Sequence, residues 1–148
     1  GKNWNNTYWR WASYSYGGSI TNSVNAVNLV LNYNQQQGVF TPTTAGTLTG
    51  IQIMVRQTGA TNNLRIGVGK LDVSTTSWQS PATRAVTDMA YRSCPISSTN
   101  TVYHYSGFTA TSDTSFAANQ PLIVYFKKES STANSSPFVN VTIEGTYG

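Results

Sequence analysis

The chain has 148 residues, enough for one domain with a single core, and 39% of them are hydrophobic, which excludes a disordered protein. Only 9% are charged, against roughly 25% in an average soluble domain, while Thr, Ser, Asn and Gln fill 59 of the 148 positions. The net charge of +4 comes from scattered basic residues and no apolar run has the length of a membrane span, so we expect neither nucleic-acid binding nor membrane insertion.

The first nineteen residues differ from the rest, because they contain three of the four tryptophans. Their aromatic residues do not alternate cleanly, so we predict an aromatic N-terminal arm over residues 1–19 that packs on another surface. Trp, Tyr and Arg are the residue types in which interface binding energy concentrates. The candidate partner-binding residues are Trp4, Tyr8, Trp9, Arg10, Trp11 and Tyr14. Either the arm covers its own domain, or it docks on a neighbouring subunit, a capsid surface or a sugar.

Residues 20–148 show the two-residue periodicity of β-strands and no sustained helical spacing. Strands are predicted at Val27–Tyr33, Ile51–Arg56, Leu64–Val68, Leu122–Lys127 and Val139–Glu144, with weaker candidates at Thr83–Ala90 and Thr101–Phe108. Segments rich in Gly, Pro, Asn and Ser separate them. About eight short strands of this kind predict an all-β fold, an antiparallel β-sandwich with a jelly-roll layout, for residues 20–148.

The side chains that catalysis requires are scarce. The chain has three Asp, two Glu, one His and one Cys, and no two carboxylates lie close together in the sequence. We therefore expect no enzyme, no catalytic residues, no metal site and no cofactor. A couple between Cys94 and His104 is conceivable. However, Cys94 precedes a proline in a turn and His104 lies between two tyrosines on a strand, so structural roles are favoured. Gly67 and Gly69 lie inside a strand and predict a bulge or a close sheet approach.

A carbohydrate site is the alternative that the residue types allow. Aromatic faces pack against the C–H surfaces of sugars, and amide side chains bind the hydroxyls. The candidate glycan-binding residues are Trp78, Gln79, Tyr103 and Tyr105. The opposing interpretation is that tyrosines in a β-sandwich are ordinary core and surface residues.

Part of the sequence resembles small β-sandwich proteins of tailed-phage virions. The runs Ala45–Ile53 and Asn63–Gly69 are similar to paired strands of those proteins, Phe116–Phe126 is similar to their late turn and apolar strand, and Val139–Gly148 to their closing strand. The resemblance is one of style and covers roughly the last two-thirds of the chain. Such proteins are jelly rolls, often trimeric, that decorate capsids or form fibre tips.

The resemblance implies a capsid decoration or cement protein at the virion surface. Its expected partners are copies of itself, as a homo-oligomer and most simply a trimer, and the major capsid protein or other virion proteins. The alternative is a glycan-binding module, either a phage fibre tip or an extracellular lectin.

Overall fold

The computed structural model describes residues 2–4, 8–17, 39–58, 63–72, 86–129 and 138–148. These residues form strands and loops, with no helix among them. Eight strands have three or more residues and three have two. The strands are β1 (Lys2–Trp4), β2 (Tyr8–Gly17), β3 (Val39–Phe40), β4 (Gly46–Gln57), β5 (Leu64–Leu71), β6 (Val86–Cys94), β7 (Tyr103–Ser106), β8 (Thr109–Ala110), β9 (Ser115–Phe116), β10 (Leu122–Lys128) and β11 (Phe138–Tyr147).

The strands form two antiparallel sheets. Sheet 1 has the order β1-β2-β11-β4-β7, with β9 also paired to β4, and sheet 2 has the order β3-β10-β5-β6-β8. If β1, β8 and β9 are set aside, consecutive described strands belong to different sheets, with the exception of β5 and β6. Eight strands wound in this way across two four-stranded sheets are a jelly roll. The predicted all-β antiparallel sandwich is confirmed.

The core lies between the two sheets and comes from alternate residues of the predicted strands. Sheet 1 contributes Leu48, Ile51, Ile53, Val55, Val141 and Ile143, and sheet 2 contributes Leu64, Ile66, Val68, Leu122, Val124 and Phe126. All are at most 2% exposed. Because complete burial of such a side chain is worth about 1.5–3 kcal/mol, these residues fix the strand register on both sheets.

The two glycines in β5 have the structural role that their position predicts. The pairing of β5 with β6 shifts between Val68 and Gly69, where β6 carries one extra residue. A β-carbon on Gly67 would lie 2.6 Å from the ring of Tyr125, which is the residue paired with Gly67 on β10. Both a bulge and a close approach are therefore present.

Residues 2–4 and 8–17 of the predicted arm are the strands β1 and β2. Strand β2 pairs with β11 over most of its length, and β1 pairs with β2 at the edge of sheet 1. The register between β2 and β11 shifts once, between Val141 and Ile143. The division of the chain at residue 19 stays a prediction, and the predicted strand Val27–Tyr33 lies outside the described residues.

Candidate functional site

The outer face of sheet 1 is polar along β4 from Ile51 onwards, β7 and β11, because inward and outward residues alternate there. Along β4, Ile51, Ile53 and Val55 point into the core, whereas Gln52 and Met54 are exposed between them. The residues of β7 and β11 that are paired with Gln52 and Met54 lie on the same face, since opposite residues of an antiparallel pair share a face. Side chains from three strands therefore form one surface.

Strand register brings these side chains into rows across the sheet. In the order β7, β4, β11, the rows are Ser106–Gln52–Glu144 and His104–Met54–Thr142, followed by the pair Arg56–Asn140. Directly opposite residues have β-carbons about 4.5–5.5 Å apart, so a ligand on this face can contact a whole row at once.

Three adjoining depressions lie on this face, with volumes of about 480, 440 and 480 Å³. The first and second share Gln52, Ser106 and Glu144, and the second and third share Met54 and Thr142. Together they form a groove parallel to β4, which we call the outer-face groove. It begins at Thr49, Thr146 and Phe108 and ends at Arg56, Asn140 and Val102.

The lining of the outer-face groove consists mainly of neutral hydrogen-bonding groups. Gln52, His104 and Ser106 are exposed, and their side chains make no hydrogen bond to any other described residue. Glu144 makes an interaction of its own. At one end of the groove Thr49 donates a hydrogen bond of 2.8 Å to Thr146 across the strand pair. The free amide, imidazole and hydroxyl are the groups that a ligand can reach.

The predicted glycan residues Tyr103 and Tyr105 lie on the other side of β7. Their rings are stacked, with centroids 6.4 Å apart, and both pack against the core cluster. The hydroxyl of Tyr103 lies 3.1 Å from that of Ser97, and the hydroxyl of Tyr105 donates to the carbonyl of Pro95. The hydrogen bond with Ser97 lowers the pKa of Tyr103, and burial raises the pKa of Tyr105.

The remaining predicted site residues are only partly covered by the structure. Trp78 and Gln79 lie outside the described residues. For the partner-binding candidates, the structure describes the strand pairing of the backbone. Trp4 is paired with Trp9, Trp9 with Gly145, and Arg10 with Glu144. Trp11 is paired with Ile143, Tyr14 with Val141, and Tyr8 with Thr146. Their binding role stays a prediction.

Cys94 and His104 do not form a couple. Cys94 is completely buried at the end of β6 in sheet 2, whereas His104 is exposed on the outer face of sheet 1. Burial raises the pKa of the Cys94 thiol to about 12. The thiolate, which is the reactive form, is therefore scarce at neutral pH.

A second polar cluster lies on the outer side of sheet 2. The guanidinium of Arg65 stacks 3.6 Å above the ring of Tyr91, and its Nη1 lies 4.0 Å from Oδ2 of Asp88. Burial raises the pKa of the Asp88 carboxyl, and hydrogen bonding and the nearby positive charge of Arg65 offset the shift only in part. Tyr125 is completely buried beside this cluster, and burial raises the pKa of its hydroxyl.

In the described part of the chain no three His, Cys, Asp or Glu side chains come together as metal ligands. The same residues contain no helix long and apolar enough to cross a membrane.

Sequence reasoning singled out none of Gln52, Met54 and Ser106 as site residues. The sequence feature that could have indicated these three residues is their position on the outward face of alternating strands.

The class of protein that these features define is a jelly-roll β-sandwich. No protein-family model matches the sequence, and no curated protein matches it. Among solved structures, the chain is similar to a chain in the structure of infectious bursal disease virus, Gx strain, with a TM-score of 0.42 and 10% identity over 94% of this chain. It is also similar to the CBM22-1–GH10 modules of the Clostridium thermocellum xylanase 10B in complex with xylohexaose, with a TM-score of 0.33 and 12% identity over 92% of this chain. The chain spans 31% and 25% of the length of those two chains.

Proposed function

We propose that the protein is a structural component of a virus particle, a decoration or cement protein that binds the outside of the shell. It acts by protein–protein contact, without a catalytic step, as a homo-oligomer with trimeric symmetry. Its partners are neighbouring copies and the major capsid protein or another virion protein.

The observation that carries this proposal is the replacement of charge by amides and hydroxyls on a jelly-roll framework. Thr, Ser, Asn and Gln make up 59 of the 148 residues, and only 9% are charged. Burying an ion at an interface costs several kcal/mol unless it is paired well, whereas amides and hydroxyls satisfy one another across a contact at lower cost. A surface of this composition suits a protein that is covered by neighbours on several sides.

The contact surface that we favour is the edge of sheet 1 formed by β1 and β2. Three of the four tryptophans lie on these two strands, at Trp4, Trp9 and Trp11, and Arg10 lies between the last two. Among the described strands β1 is the outermost of sheet 1, so a partner that approaches this edge meets the aromatic segment first. Aromatic residues and Arg dominate interface hot spots.

The direct test is the composition of purified particles. Mass spectrometry of virions should detect the protein in a copy number set by the shell symmetry, and particles that lack it should rebind the purified protein. Deletion of residues 1–18 is a poor test, because it removes β2 and leaves the edge of β11 unpaired.

Point variants in the edge strands are sharper. Trp4→Ala and Arg10→Ala should each weaken rebinding to particles at least tenfold while circular dichroism shows that both variants remain folded. Thr87→Ala, an exposed position on sheet 2, is the matched control and should rebind normally. Absence of the protein from purified virions, or full rebinding by both edge variants, would contradict the proposal.

A second candidate function is glycan binding, as in a fibre tip or an extracellular lectin. The observation that favours it is the outer-face groove, whose central side chains Gln52, His104 and Ser106 make no hydrogen bond to any other residue that the structure describes. Binding of a saccharide on a glycan array tests this candidate, and a blank array would contradict it.

A further inference from the structure

We propose that the outer-face groove is the binding site for an extended, uncharged saccharide. Gln52 and Ser106 supply hydrogen bonds to sugar hydroxyls, and Met54 and His104 supply the surface against which a sugar ring packs. This inference rests on the second function proposed above and gives it a site and a ligand class. The site differs from the tyrosines and the Trp78 segment that the sequence indicates.

The shape of the groove favours a linear ligand. Its three depressions follow β4 from Thr49 to Arg56, which is about 24 Å at the usual rise of about 3.4 Å per residue. That length accommodates several linked monosaccharide units. A compact ligand such as a nucleotide or an amino acid would fill only one of the three depressions.

The position of the groove within the sheet restricts how a ligand is recognised. Between Gln52 and Val55, the backbone of β4 is already paired with β7 on one side and with β11 on the other. A peptide therefore cannot add to β4 here as an extra strand, since that mode needs an unpaired edge, and among the described strands the unpaired edge on this side of sheet 1 is β7. Over the middle of the groove, a ligand therefore contacts β4 through its side chains.

The charge of the lining matches an uncharged ligand. Among the described residues, Glu144 and Arg56 are the charged residues of the lining, one of each sign, and Glu144 already makes an interaction within the protein. A polyanionic glycan would need a row of cations, and the described lining contains one arginine. Amides and hydroxyls both donate and accept hydrogen bonds, as sugar hydroxyls do, so Gln52 and Ser106 match a ligand of that kind.

The apolar contribution comes from the middle of the groove. Met54 is 40% exposed and is one of two large hydrophobic residues exposed among those described. It lies in one row with His104 of β7. A flexible thioether beside an imidazole ring forms a small apolar surface, with the row of Gln52 and Ser106 on one side and the pair Arg56 and Asn140 on the other. The C–H face of a pyranose ring has the complementary character.

The experiment is a titration of the full chain with neutral linear hexasaccharides of gluco, xylo, manno and galacto configuration, together with a sulfated and a sialylated glycan. Binding is measured by calorimetry and by NMR shifts of the Gln52 side-chain amide and the His104 ring. We expect at least one neutral hexasaccharide to bind and to shift both signals. Gln52→Ala should weaken binding about tenfold, the factor for one lost hydrogen bond, and His104→Ala should weaken it through the loss of packing surface. Thr87→Ala should leave it unchanged.

The outcomes separate the site from the function. Saccharide binding that the groove variants do not affect would overturn the assigned site and leave glycan binding intact. Binding of only the sulfated or sialylated glycan would overturn the ligand class. A blank result with all six ligands and a glycan array would overturn this inference and the second function together. A change of oligomeric state in Gln52→Ala would identify the groove as an interface between copies and would also overturn the inference.

Discussion

Replacement of Gly67 by alanine tests the packing on the outer side of sheet 2. A β-carbon at this position would lie 2.6 Å from Cε2, Cζ and the hydroxyl oxygen of Tyr125, a distance that real β-carbons essentially never show. Tyr125 is completely buried, so its ring has little room to move away. Overpacking of this kind costs about 1–3 kcal/mol. For a chain of this size, that cost lowers the melting temperature by about 2–4 °C for each kcal/mol.

A double-mutant cycle with Tyr125→Leu shows whether the ring is the cause. The smaller side chain vacates the space that the new methyl group needs, so Gly67→Ala should be much less destabilising in the Tyr125→Leu background, with a coupling of about 1 kcal/mol or more. Gly107→Ala is the control. Gly107 has a φ of 83° and no neighbour within 4 Å, so alanine there costs about 1–2 kcal/mol through the backbone alone.

The assay is chemical denaturation followed by tryptophan fluorescence for all six proteins, namely wild type, the three single variants and the two double variants. The cycle of Gly107→Ala with Tyr125→Leu should be additive within about 0.5 kcal/mol. A Gly67→Ala protein as stable as the wild type would refute the packing argument. Additivity in the Gly67–Tyr125 cycle would show that the cost has another source.

Three further predictions concern buried groups. Gln57 is completely buried and neither of its side-chain amide atoms has a hydrogen-bond partner among the described residues, so Gln57→Met should raise the free energy of unfolding by about 1 kcal/mol; a loss of stability would contradict this. Burial raises the pKa of Asp88 above its ordinary value of 3.8, so the folded state binds the Asp88 proton more tightly than the unfolded state does. The free energy of unfolding therefore falls as the pH rises from 3.8 to the pKa that Asp88 has in the folded state. The stability of Asp88→Asn relative to wild type should therefore increase from pH 3 to pH 7 in urea titrations, and a constant difference would exclude the effect. Because the pKa of Cys94 is raised to about 12, a thiol reagent at pH 8 should modify the folded protein at least a hundredfold more slowly than the unfolded protein, and equal rates would show that the thiol is accessible.

The sandwich could be predicted because each of its long strands carries its own alternation. The predicted strands at Ile51–Arg56, Leu64–Val68, Leu122–Lys127 and Val139–Glu144 all lie within observed strands. In each of these segments, every second residue includes side chains that the structure buries between the sheets, among them Ile53, Val68, Val124 and Ile143. The information is local, since a two-residue period in a short window is enough to place a side chain on one face.

The N-terminal strands could not be predicted in this way, and the reason is a single bulge. Trp9 and Trp11 are paired with Gly145 and Ile143, whereas Tyr14 and Tyr16 are paired with Val141 and Val139. All four therefore occupy equivalent positions along β11, although the first two have odd numbers and the last two even numbers. The extra residue of β2 between Trp11 and Tyr14 shifts the period by one, which in sequence resembles a loss of alternation.

The outer-face groove could not be predicted because it depends on contacts distant in sequence. Its central rows join residues of β4, β7 and β11, and the pairs Gln52–Ser106 and Gln52–Glu144 are separated by 54 and 92 positions. No window along the chain contains such a row. Tyr103 and Tyr105 illustrate the same limit: their residue type indicates a binding surface, but strand parity directs them to the core and leaves their neighbours His104 and Ser106 on the outside.

The edge and the groove of sheet 1 adjoin each other, which allows the two proposed functions to be examined in one molecule. Strand β2 belongs to this edge, and its Arg10 is paired with Glu144, a residue of the groove lining. A partner bound along β1 and β2 would therefore approach the groove from the side and leave its length along β4 open. If the protein both attaches to a shell through that edge and holds a saccharide in the groove, Gln52→Ala should lose the saccharide while rebinding particles normally, and Trp4→Ala should show the reverse. Loss of both activities in either variant would mean that edge and groove form a single contact surface.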